Sequence, residues 1–185
     1  KLELTASDIN ASVKNSGSIV SEGGQVYMQA LALNRAAAQV IQSGSIDTTG
    51  EQGGAVHLLA DGGTIKVDGS ITANSTGTDD KGQVRKGGDI VIGRDVDTNV
   101  LAAVGDVRHA SLESVGGFVE TSGQYLATDG IRIQAKDWLL DPTDIKIVAA
   151  GTATPDTALN TVSGTITAKD NTGVGSREVL ETTIA

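Results

Sequence analysis

The segment GGFVETSGQYLATDGIRIQAKDWLLDP, residues 116–142, holds three of the chain's four aromatic side chains, so the bulkiest packing is expected here. Ile131, Ile133 and Ala135 alternate with Arg132, Gln134 and Lys136. A period of two sends one set of side chains inward and the other to solvent, which predicts a half-buried strand. Gly116-Gly117, Gly123 and Asp129-Gly130 divide the segment into pieces of about five residues, too short for helices and typical of strands joined by tight corners. Pro142 biases Asp141 toward an extended backbone and ends the run.

Outward from this segment, a unit recurs: Ser/Asp-Gly-x-Ile, a polar turn, Gly-Gly, then an alternating strand. It reads SGSIVSEGGQVYMQA at 16–30, SGSIDTTGEQGGAVHLLA at 43–60 and DGSITANSTGTDDKGQVRKGGDIVIG at 68–93, with a degenerate copy in SVGGFVETSG at 114–123. A spacing of about 25 to 35 residues suits parallel strands joined by corners and stacked on themselves, with insertions confined to the loops. In LALNRAAAQVIQ (31–42) alanine favours helix, but its place between two strands of the repeat favours another short strand and corner. The double glycines stop near 149. The expected organisation is therefore rungs over 1–148 with a protruding loop near 73–88, and a Thr/Ala/Gly-rich 149–185 that continues the stack or starts another module. Ser176 is a candidate N-cap for a short helix at 176–185.

Composition agrees with thin stacked rungs. Aromatics make up 2% of the 185 residues and glycine numbers 24, so Val, Ile, Leu and Ala must fill the interior at close spacing. Much Gly, Ser and Thr can also mean disorder, but here the aliphatic residues recur in strand phase, which argues against it. A net charge of −9 disfavours nucleic acid and bare anionic membranes, because binding to phosphates rests on Lys and Arg. No run is apolar enough to predict membrane insertion. Without cysteine there is no disulfide framework or thiolate metal site. A first residue Lys1 in place of Met reads as a piece of a longer precursor.

GGFVETSG (116–123) followed by AKDWLLDPTDIKI (135–147) resembles the signature of exoproteins of two-partner secretion systems: high-molecular-weight adhesins, haemopexin-binding exoproteins and filamentous-haemagglutinin-like proteins of Gram-negative bacteria. The resemblance is strong over 116–148 and looser over the repeats at 17–93. It implies an all-β chain folded as a right-handed parallel β-helix, a solenoid, secreted or held at the bacterial surface and exported by an outer-membrane transporter partner. The implied function is adhesion to a host-cell receptor, a glycan or a biofilm polysaccharide. Within the same resemblance stand a haem-acquisition exoprotein that grips a host carrier and a toxin-delivery stalk.

Candidate chemistry is sparse. There is no Gly-x-Ser-x-Gly elbow, and the two histidines, His57 and His109, lack spaced partners. His57 falls in the outward phase of its strand. A polysaccharide-degrading β-helical enzyme would need clustered carboxylates on one face; the expectation is no enzyme. Asp95, Asp97 and Asn99 mimic the start of a calcium loop, but Val100 stands where glycine is needed and Asp106 where the terminal Glu belongs, so no cofactor is expected and calcium is the one candidate ion. Asp79, Asp80, Lys81, Arg85 and Lys86 put mixed charge on the longest polar insertion, as a binding loop does. Asn10 and Asn74 head N-x-Ser/Thr sequons, candidate glycosylation sites whose interest the resemblance raises. Trp138, followed by two leucines, is expected in the core.

Overall fold

The computed structural model describes residues 1–142 apart from Val96 and Asn99, and the backbone of 144–148, 165–168 and 176–180. The chain winds repeatedly through three faces. The first pass is β1 (Leu2–Asp8), β2 (Ser12–Asn15) and β3 (Ser18–Val20), and the second is β4 (Gln25–Ala32), β5 (Gln39–Gln42) and β6 (Ser45–Asp47). β7 (Ala55–Ala60), β8 (Thr64–Val67) and β9 (Ser70–Thr72) form the third. After them come β10 (Asp89–Ile92), β11 (Val104–Asp106), β12 (Ser111–Gly123), β13 (Tyr125–Ala127), β14 (Arg132–Pro142), β15 (Asp144–Val148), β16 (Thr165–Ala168) and β17 (Ser176–Leu180).

Each strand pairs in parallel with the strand one pass later. Face A runs β1-β4-β7-β10 and on through the second halves of β12 and β14, face B runs β2-β5-β8-β11-β13, and face C runs β3-β6-β9 and the first halves of β12 and β14. The expected all-β, parallel class is what the chain adopts. β12 and β14 each serve two faces. The β12–β14 register shifts between Ser114 and Phe118, and Gly116 has φ 71°, so Gly116-Gly117 is a bend within a strand, not the strand end that the sequence suggests.

In-register pairing turns the repeat into columns. Val26, Val56, Ile90, Val119 and Trp138 stand in line on face A, and Ile19, Ile46, Ile71, Leu112 and Ile133 on face C. Each fully buried member contributes on the order of 1.5–3 kcal/mol, but only when the next pass covers it. Trp138 lies in the core, as expected, and its indole N–H donates to Thr121 Oγ1 at 3.1 Å, which supplies the partner a buried indole needs. Ile131, Ile133 and Ala135 are buried while Arg132, Gln134 and Lys136 are exposed, the predicted phase.

The glycine punctuation has a steric cause. A Cβ on Gly44 would land on the carbonyl oxygen of Gly17, and one on Gly69 on that of Gly44. The second glycine of three Gly-Gly pairs repeats this: Gly54 faces the Gly24 carbonyl, Gly88 that of Gly54, and a Cβ on Gly117 would sit 2.6 Å from Gly88 O. Corners this tight admit no side chain.

Residues 31–42 form the end of β4, a single 3-10 turn (Arg35–Ala37) and β5, with the Arg35 guanidinium bonded to Asp61 of the next pass. Strand and corner win there because the ladder claims the flanking backbone. The helix expected from Ser176 is absent; β17 pairs in parallel with β15, which satisfies the backbone groups a capped helix would otherwise pair. The boundary expected near 149 lies outside the described residues, and β14 pairs in parallel with β16 beyond it.

One polar pair is carried inside. Asn15 Nδ2 donates to Gln42 Oε1 at 2.8 Å and to Ser45 O at 3.1 Å, while Asn15 Oδ1 accepts from the Gly17 N–H. Gln42 Nε2 is buried without a partner.

Candidate functional site

Both large insertions flank one strand, β10. The first leaves face C after β9. Its base is packed: Thr76 N–H donates to Gly50 O at 2.8 Å, Ser75 Oγ to Glu51 O at 2.9 Å, and Gly77 N–H to Glu51 O at 3.1 Å. Beyond it an antiparallel bridge between Thr78 and Val84 closes an exposed hairpin tip. Asp79 Oδ1 accepts from the N–H groups of Lys81 and Gln83, both at 2.9 Å, so this carboxylate shapes the turn. Asp80, Lys81 and Lys86 are exposed, Arg85 is half-buried, and the three cations make no ion pair among the described residues. The candidate binding residues therefore share one hairpin, on which Asp79 is exposed and bonded back to its own turn.

The second insertion leaves β10 toward face B. Ala102 N–H donates to Gly93 O at 2.8 Å, Asp95 N–H to Val100 O at 2.9 Å, and Arg94 and Leu101 form an antiparallel bridge. This hairpin lies against the outside of face A. Arg94 holds Glu120 through two nitrogens, with Nη2 to Oε2 at 2.7 Å, and Ser122 Oγ donates to Glu120 Oε1 at 2.8 Å. Glu120 is 0% exposed although its strand phase points outward. The hydrogen bond that Arg94 donates to Glu120 raises the guanidinium above its ordinary value against the opposing effect of burial, with the charges of Glu120 and Asp141 adding to the pull.

His57 and Tyr27 occupy the neighbouring outward positions and stack with ring centroids 4.7 Å apart and planes 5° from parallel. On the far side of Tyr27 the Lys1 ammonium lies 4.7 Å from the ring centroid and 3.0 Å from Glu3. His57 is half-buried, which corrects the solvated position read from its phase. Burial lowers its pKa from the ordinary value and outweighs the carboxylates of Asp89, Asp97, Asp95 and Glu120, which act to raise it.

Of the calcium-like set, Asp95 and Asp97 lie among the described residues. Asp95 Oδ1 accepts from the N–H groups of Asp97 at 2.8 Å and Thr98 at 3.2 Å. Burial acts to raise the Asp95 carboxyl, and these backbone bonds, together with the Thr98 hydroxyl and His57, overcome it and hold the group below its usual value. Asp97 is exposed, and Asn99 lies outside the described residues. No group of three or more His, Asp or Glu side chains converges to hold an ion among the described residues.

The two sequons differ. Asn74 Nδ2 donates to Glu113 Oε1 at 2.6 Å and its Oδ1 accepts from Val115 N–H at 2.9 Å, so the nitrogen a sugar would occupy ties one pass to another. Asn10 is exposed at the rim of a cleft of about 320 Å³ whose walls are Ala36, Ala38, Gln39 and Thr64. Alanine methyl groups and the polar side chains of Asn10, Ser12, Gln39 and Thr64 share its lining. His109 sits at a corner with φ 64°, one pass from Gly130 with φ 68°, so it holds a left-handed position that Gly130 fills without a Cβ.

Sequence reasoning missed Arg94, Glu120 and Ser122. A signal was present: Leu59 and Val91 are aliphatic in the outward phase of β7 and β10, which implies that something covers face A there. No helix among the described residues is long and apolar enough to cross a membrane. No family model, no curated protein and no solved structure matches this chain.

Proposed function

We propose that the chain is a right-handed parallel β-helix that works as a binding rod, a segment of a secreted or surface-held bacterial adhesin which presents its two hairpins to a host-cell receptor or glycan. The observation that carries this reading is the ladder itself: parallel strands pair pass after pass, and the long insertions fall at corners beside β10 without breaking it. Parallel crossovers are right-handed in nearly all known cases, which supports the hand. The signature at 116–147 supports adhesion, export through an outer-membrane partner and a bacterial-surface location. A rod that holds hairpins rigidly gives modest affinity per contact and gains strength from several contacts along its length.

Binding is favoured over catalysis because the titratable groups serve the fold. Asp79 and Asp95 close turns, Glu120 is sealed by Arg94, and Asn74 and Glu113 bond to each other. The test is saturable binding on a glycan array and on cells, for the intact chain and for one with residues 78–84 replaced by a short Gly-Ser turn, alongside a turnover assay on acidic polysaccharides. Binding lost with the hairpin supports the reading. Turnover abolished by changing Asp95 and Asp97 together would replace it with an enzyme.

A further inference from the structure

The first three passes turn the corner from face A to face B with unequal lengths of chain. Residues 9–11 and 61–63 make short turns, whereas 33–38 carry their extra length as the 3-10 turn Arg35–Ala37. That turn is held from both neighbouring passes. Asn34 N–H donates to Ile9 O at 3.3 Å in the pass before, and Arg35 Nε donates to Asp61 Oδ1 at 3.0 Å in the pass after. The cleft of about 320 Å³ lies where the turn meets face B, with Ala36 and Ala37 in its lining. Across it runs a column in register on the outer side of face B: Ser12, Gln39 and Thr64, one residue per pass at about 4.8 Å.

Polar side chains elsewhere on the rod are committed to the fold. Asn74, Asp79, Asp95 and Glu120 each hold a hydrogen bond that ties one pass to another or closes a turn. Asn10, Ser12, Gln39 and Thr64 make no side-chain hydrogen bond among the described residues, and the one cleft gathers all four. Two amides and two hydroxyls offer donors and acceptors side by side. No charged residue lines the cleft, on a chain whose net charge is −9.

We infer that this cleft is a binding subsite for a neutral saccharide, separate from the two hairpins. A sugar hydroxyl donates and accepts at once, which suits a row of amides and hydroxyls. The alanine methyls suit the C–H face of a sugar ring, and the volume fits about one or two rings. An anionic sugar is disfavoured, because no cation in the lining offsets the cost of stripping water from its carboxylate. An apolar peptide side chain is disfavoured as well, since it would leave the four polar groups covered and unpaired. Because the turn is held before any ligand arrives, binding carries little ordering cost. The subsite does not depend on what the hairpins hold.

Heteronuclear NMR titration of the unglycosylated chain with glucose, N-acetylglucosamine and lactose reads the cleft at the amides of Ala37, Ala38, Gln39 and Thr64. Saturable shifts there are expected with at least one of the three sugars, and none with glycerol or glucuronic acid. Gln39→Ala combined with Thr64→Val should weaken binding about tenfold, since both changes remove hydrogen-bonding groups from the outer side of the sheet and leave the core column alone. Ser12→Ala, at the next place in the same column, gives a second and smaller loss in a chain that keeps both of those residues. The chain with residues 78–84 replaced by a Gly-Ser turn should titrate as the intact one does, so failure of the hairpin reading and failure of the subsite are told apart. The inference is overturned by the absence of saturable shifts with all three sugars, by shifts centred on 78–86, or by equal binding of glycerol or glucuronic acid. Wild-type affinity in the Gln39→Ala, Thr64→Val chain also overturns it.

Discussion

Gly44 lies directly over the peptide of Gly17, so near that a Cβ on the later glycine would sit 2.0 Å from the earlier carbonyl oxygen. Gly44→Ala must therefore push two passes apart. The expected loss is about 2–3 kcal/mol, within the range for overpacking a close contact. Gly82 is the control, with φ 75° at the hairpin tip and open space around it, where alanine should cost about 1 kcal/mol through the left-handed backbone alone. Urea unfolding of the two variants checks the ordering; equal stabilities would mean that the corners are not in contact.

Ile133→Asp should destabilise by about 3–5 kcal/mol, since it sets an unpaired carboxylate into the Ile71–Leu112–Ile133 column. Gln134→Asp, one residue away on the exposed phase, should change the melting temperature little. If the two variants melted alike, the register of β14 would be refuted.

Arg94→Met should cost about 3 kcal/mol, because breaking a buried pair leaves Glu120 charged with only the Ser122 hydroxyl for company. Arg35→Met, whose partner Asp61 lies at an exposed corner, should cost under about 1 kcal/mol. Denaturation midpoints at neutral pH separate the two cases, and a smaller loss at Arg94 than at Arg35 would count against the buried pair.

Gln42→Leu should leave stability unchanged or raise it by about 1 kcal/mol. The substitution removes a buried donor that has no partner, and Asn15 keeps its bonds to Ser45 O and Gly17 N. Val67 already fills the next place in that column. A loss of about 2 kcal/mol on calorimetry would mean that Gln42 Nε2 is satisfied by an internal water.

The fold was legible where each residue reports its own environment. Ile131, Ile133 and Ala135 declare a phase, Gly-Gly marks a corner, and Trp138 with its leucines marks core. What stayed hidden was produced by partners distant in sequence. Glu120 reads as a surface residue until Arg94, brought over it by a hairpin two strands earlier, seals it. His57 obeys its outward phase, yet stacking on Tyr27 from the previous pass takes it half out of water. Asn15 and Gln42 sit in inward phase as polar residues, a pairing that only the register of β2 on β5 explains. Asp79 and Asp95 read as ligand donors because their turn-forming bonds to the following N–H groups are a matter of loop conformation. The Ser176 cap was a local signal overruled by a strand some thirty residues away.

Because the inner strands bond to the pass before and the pass after, tension applied between the ends of the stack loads the passes in series. Each would peel from the end as a unit once its own ladder fails, while the remainder holds. The passes run from 19 residues (Val119 to Trp138) to 34 (Val56 to Ile90), so the events should release about 65 to 115 Å of chain each. Single-molecule stretching should then give a sawtooth of unequal steps within that range, and a stack of this kind held at both ends would yield in small steps and re-form them when the force drops.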